Sequence, residues 1–254
     1  MIAELNHLPA DASRTRFALG CSWAILLDHV RRPVGHDEPG RIARAAMGIA
    51  IGASSVLVAY GLESYPGLRT ETGTWAAVAV LAATLTAYGL ITTVLSRETE
   101  DSATVARRYG SLIGLTVGGS WFFLLTSYAL TPDLSFLPLA IALLAPPVTA
   151  GAVAAKEHSA AAGVRTAVWA GLTGGMLIFI AYSVCVLVTR GKPYDAALIN
   201  EFHHSGTTTT LASYAVGDGL TQALTMMVIV PVVGVAFGSL ASLAAAGKPV
   251  TPTP

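Results

Sequence analysis

One polar stretch of this 254-residue chain concentrates side chains capable of acid–base and metal chemistry: residues 190–219, RGKPYDAALINEFHHSGTTTTLASYAVGDG. Glu201, His203 and His204 are its candidate metal ligands, and Asp218 can fold back as a further one. A zinc or copper site needs three or four such donors. Asp195 is placed to cap a short helix, and Gly206 to stop it after His204. On that helix Glu201 and His204 are three apart and share a face, whereas His203 points about 100° away. The same residues are compatible with a histidine pair that responds to pH, or with an amphipathic cap lying on the protein surface. No nucleophile with a positioned base stands out. HExxH is absent, and the apolar runs hold neither a Ser–His pair nor two aspartates. Cys21 and Cys185 are the only cysteines, too few for a disulfide framework or a CxxC metal site. The expectation is a non-catalytic protein with no cofactor.

The elements that must position this stretch are hydrophobic. Apolar residues make up 53% of the chain and charged residues 12%, about half the charge of a soluble domain, and mean hydropathy is +0.61. Six apolar runs, 45–62, 75–95, 111–130, 135–155, 167–189 and 220–246, contain no Asp, Glu, Lys, Arg or His. About 20 such residues span a bilayer as a helix, and continuous rather than alternating apolarity excludes a β-barrel. The expected fold class is therefore all-α: a polytopic membrane protein of six transmembrane helices over 41–247. With zero net charge and no basic patch, nucleic acid is excluded as a partner.

Charge orients the runs. Arg14, Arg16, Arg31, Arg32, Arg41 and Arg44 precede the first. Arg97, Arg107 and Arg108 lie between the second and third, Lys156 and Arg165 between the fourth and fifth, and Lys248 in the tail 248–254. Only Arg69, Arg190 and Lys192 fall on the opposite side. Cytoplasmic loops are enriched in Lys and Arg, so both termini are predicted to be cytoplasmic. Within the N-terminal segment 1–40, the run 17–27 is too short to span and carries Trp23 between arginine pairs. It reads as a short amphipathic helix on the membrane surface or on a partner protein. The mixed-charge loop 97–110 reads as a solvated helix extension.

Five GxxxG pairs occur: Gly48/Gly52, Gly110/Gly114, Gly114/Gly118, Gly171/Gly175 and Gly234/Gly238. This spacing lets helix backbones approach closely in lipid. Pro146, Pro147 and Pro231 interrupt two of the runs and are candidate helix kinks.

Ala3-Glu4-Leu5, Arg14, Arg16 and Phe17-Ala18-Leu19-Gly20-Cys21 followed by Trp23 resemble the opening of uncharacterised bacterial integral membrane proteins. Phe202-His203-His204-Ser205-Gly206, with Tyr214 and Asp218, resembles actinobacterial members of that group. The resemblance implies a bacterial cytoplasmic membrane location and no particular activity. With no ionisable residue inside the runs, a proton or ion pump is disfavoured. Two functions follow as expectations: a signalling or accessory subunit acting with a membrane or cytoplasmic partner protein, or a small oligomeric permease or channel for a neutral solute, built as a homo-oligomer.

Overall fold

A computed structural model describes residues 38–71, 73–98, 100–127, 136–190, 196–206 and 209–246. The N-terminal stretch 17–27 and the tail lie outside these residues. The described chain is helical, with no strand among the described residues. Its helices are α1 (Glu38–Ser64), α2 (Thr74–Leu95), α3 (Asp101–Ser127), α4 (Phe136–Lys156), α5 (Ala160–Thr189), α6 (Ala196–His204) and α7 (Leu211–Ala246). A 3-10 turn, Pro66–Thr70, joins α1 to α2.

Five of these, α1 from Gly40, α2, α4, α5 and α7, are long and apolar enough to cross a membrane. The exception among the six expected spans is α3. It is helical over 111–127 of the third expected run, and the last residues of that run, 128–130, lie outside the described residues. Its small residues let it pack closely. A Cβ on Gly110 would lie 2.5 Å from the Thr166 carbonyl oxygen and from Trp169 Cβ. On Gly114 it would lie 2.5 Å from Thr173 Cβ, and on Gly118 it would collide with Leu177 Cβ. Contacts that climb both helices together mean that α3 and α5 run parallel, backbone against backbone.

The same reasoning orders the rest. Ser54 on α1 meets Met176 and Gly61 meets Leu187, so α1 also runs with α5. α7 runs against α5, because Gly171 faces Pro231, Gly175 faces Met227 and Gly219 faces Val186. α5 touches every other long helix and is the most buried, with Ile178, Phe179, Met176 and Ala167 almost wholly enclosed. It fills the centre of the bundle. Around the outside, Ile49, Val56, Leu90, Val94, Leu112, Phe123, Leu144, Val148, Val232 and Leu240 are exposed. An apolar belt of this kind is what a lipid-facing surface requires, because bilayer core gives such side chains no reason to be hidden.

The two ends of the bundle differ. At one end Arg44 Nη1 donates to Ser96 Oγ at 2.8 Å, tying α1 to α2. Arg165 on α5 pairs with Glu98 at 2.8 Å and Glu100 at 3.4 Å, and Lys156 sits 5.8 Å over the Tyr109 ring. The α4–α5 turn is closed there by His158 in the left-handed region (φ 49°) and by Ser159, whose hydroxyl accepts from the Ala162 amide. The 97–110 segment is a helix extension as expected, but only one face of it is exposed, with Asp101, Thr104 and Arg108. From Asp101 it is the start of α3, with Ala103, Ala106 and Arg107 buried. At the other end lie the 3-10 turn, α6 and the start of α7.

Candidate functional site

A cavity of about 340 Å³ opens at the α6 end. Its walls come from four separate parts of the chain: Val58 and Leu62 of α1, Leu68 to Leu81 across the 3-10 turn and α2, Phe179 of α5, and Tyr214 to Leu224 of α7. The deep lining is apolar, with Leu81 and Phe179 buried. The polar lining comprises Glu71, Thr74, Tyr214, Asp218 and Thr221, and among the described residues no Lys, Arg or His lines the cavity.

Local packing brings the two carboxylates together. α7 starts at Leu211, nine residues before the apolar run does, so Asp218 is a helical residue and not a loop one. At about 1.5 Å per residue, the 36 residues of α7 exceed the hydrocarbon thickness of about 30 Å, so its first turns stand clear of the core. Gln222, one turn on, donates to Asp218 Oδ2 at 2.7 Å and accepts from Tyr182 Oη at 2.6 Å. Glu71 Oε1 accepts from Thr209 Oγ1 at 3.2 Å. Its Oε2 lies across from Gly217, 3.8 Å from where a Cβ would stand, and takes no hydrogen bond among the described residues. The 3-10 turn is pressed on α7: Gly217 has room only for hydrogen against Leu68, whose Cδ2 would be 2.8 Å from a Cβ.

α6 leans on the rim. Phe202 meets Tyr214 edge-on at 5.5 Å between ring centroids, and the Glu201 carboxylate lies near Tyr214. The short helix ends as expected from Gly206, which takes φ +63°.

Beneath the floor, Tyr88 Oη donates to the Met227 carbonyl at 2.6 Å inside the core. Pro231 has no amide hydrogen, so the carbonyl four residues earlier, that of Met227, has no partner in its own helix. Tyr88 supplies it. Gly175 makes the space, since a Cβ there would lie 2.5 Å from Tyr88 Oη. α7 runs unbroken through Pro231, as α4 does through Pro146 and Pro147.

The metal candidates do not assemble. Glu201 turns to Tyr214, His204 Nδ1 is 2.8 Å from the Asn200 carbonyl of its own helix, and His203 stands beside Phe202. Among the described residues no three His, Cys, Asp or Glu groups come together to hold a metal. The reason is the one visible in the helix geometry: adjacent histidines diverge.

Among the glycines, Gly114, Gly118, Gly171, Gly175 and Gly238 lie in contacts too close for a side chain, Gly238 against Ala167. Gly234 is looser, with Pro146 Cβ at 3.8 Å, and Gly48 and Gly52 are buried on α1. Sequence reasoning singled out neither Glu71 nor Tyr88 for a role. Each lies far along the chain from its hydrogen-bond partner, Thr209 or Met227, and no local spacing signals such a pairing.

No family model matches the chain, and comparison with curated proteins and with solved structures finds no match. The functional reading therefore rests on the cavity and on the packing around it.

Proposed function

We propose that this chain is a non-catalytic integral membrane protein of the bacterial cytoplasmic membrane that crosses the bilayer six times, senses through its α6-end cavity, and acts with a partner protein. The observation that carries the sensing role is the position of α5. The centre of the bundle is a packed helix and not a lumen, while a cavity with convergent polar groups opens at one end. That arrangement suits a receptor better than a passage, and it supports the accessory reading over a permease. Small-molecule pockets commonly have volumes of about 300–1,000 Å³ with a few polar groups on apolar walls.

Six crossings are supported by direction. α1, α3 and α5 run one way, α2, α4 and α7 the other, and α3 lies along α5 through its apolar part. Arg44, Arg97, Arg107, Lys156 and Arg165 fall at one end and Arg69 and Arg190 at the other, which supports cytoplasmic termini.

The test is purification from the source organism in a gentle detergent, followed by mass spectrometry of what accompanies the chain. A stoichiometric protein partner is expected. A homo-oligomer with nothing attached, passing neutral solutes in liposomes, would replace the accessory reading with the permease.

A further inference from the structure

We propose that the α6-end cavity binds an organic cation: an ammonium group at the rim, carried on an apolar body that enters between α1, α2 and α5. Three features point to this chemistry. Among the described residues the lining holds two carboxylates and no basic side chain. Glu71 Oε2 accepts no hydrogen bond among the described residues, and Gly217 opposite leaves it uncovered. Below them the walls are Val58, Leu62, Leu81 and Phe179, which have nothing to offer a polar body and an aromatic face to offer an apolar one.

The physics favours the charge sign. A carboxylate at the mouth of an apolar cavity attracts a cation more strongly than it would in open water, because the surroundings screen less. An anion would meet the like charge of Glu71, and a neutral molecule would gain only the apolar burial. Primary and quaternary ammonium ions share this chemistry. So does the amine headgroup of a phospholipid in the facing leaflet, whose acyl chains lie alongside the exposed faces of α1 and α2. The proposal rests on the sensing reading for its purpose and names the class of signal. Binding itself needs no partner protein.

The experiment is calorimetric titration of the purified full-length chain in phosphatidylglycerol nanodiscs, with empty discs subtracted. The probes are phenylpropylammonium, phenylpropanol and phenylpropanoate, which share a body and differ in charge. Saturable binding of the ammonium is expected, with the alcohol at least about tenfold weaker, the scale of one hydrogen bond to a charged group. Glu71→Gln should lose a similar factor. Ala77→Leu keeps both carboxylates but narrows the cavity, and should also weaken the ammonium.

Equal binding of alcohol and ammonium, or wild-type affinity in both variants, overturns the proposal. So does no saturable binding by a folded protein that native mass spectrometry shows free of retained aminolipid. Discs containing phosphatidylethanolamine distinguish the source. Competition, or aminolipid retained through purification, identifies the headgroup as the occupant, and unchanged affinity identifies a free amine. Absent binding with a partner still co-purifying removes this proposal alone, whereas binding without any partner removes the accessory reading alone.

Discussion

Tyr88 on α2 donates its hydroxyl to the Met227 carbonyl on α7 at 2.6 Å, and that carbonyl is the one Pro231 leaves without a helical partner. A proline in a membrane helix is tolerated when a neighbour satisfies the freed group. Here the neighbour is a residue 139 positions away, and Gly175 clears the space for it. The lock also sits directly below the cavity. Leu81, two turns before Tyr88, and Phe179, one turn after Gly175, are both cavity residues, so movement at the rim bears on it.

Removing the hydroxyl should therefore cost stability, and the cost should depend on the proline. Tyr88→Phe leaves a buried carbonyl unsatisfied, worth about 1–3 kcal/mol. Pro231→Ala restores the amide that can pair with Met227. In the double variant the Tyr88→Phe penalty should shrink, measured as a coupling energy from unfolding in mixed micelles. Strict additivity would show that the two residues are independent.

Glycines on α3 divide by face. Gly114→Ala forces a Cβ to within 2.5 Å of Thr173 Cβ and 2.8 Å of the Ala170 carbonyl, and overpacking of this kind costs about 1–3 kcal/mol. Gly119→Ala meets nothing within 4 Å and should be neutral or stabilising by up to about 1 kcal/mol through helix propensity. The same unfolding assay compares them. Equal effects at both sites would contradict the close α3–α5 seam.

α6 is attached to the bundle through Tyr214. Tyr214→Ala removes the edge-on contact with Phe202 and the ring that Glu201 lies near. Amide exchange over 196–206 should accelerate while protection in α5 is unchanged. Loss of protection throughout α5 would mean that α6 is integral to the fold.

Six crossings and five predict opposite accessibility. With Cys21 and Cys185 replaced by serine, Ser205→Cys in α6's terminal turn should react with a membrane-impermeant maleimide added to intact cells. Ser159→Cys, at the α4–α5 turn, should react only after lysis. Labelling of Ser159→Cys in intact cells, with Ser205→Cys reacting only after lysis, is the five-crossing result and would break the proposed topology.

Much of this molecule is determined by sequence alone. A backbone in lipid must satisfy its own hydrogen bonds, so apolar runs of sufficient length have to be helices. The uneven placement of Arg44, Arg97, Lys156 and Arg165 foreshadows two unlike ends. Spacing of small residues marks Gly114, Gly118, Gly171 and Gly175 as places where helices meet, and Gly206 stops α6 by its tolerance of positive φ. What these rules cannot supply is the partner across each contact, because periodicity describes one helix at a time. Only the tertiary structure sets Gly114 against Thr173, turns Glu201 toward Tyr214 and not into a metal site with the histidines, and begins α7 early enough to make Asp218 helical. The cavity belongs wholly to this second level. Val58, Glu71, Phe179 and Asp218 lie far apart along the chain, and packing alone brings them to one cavity.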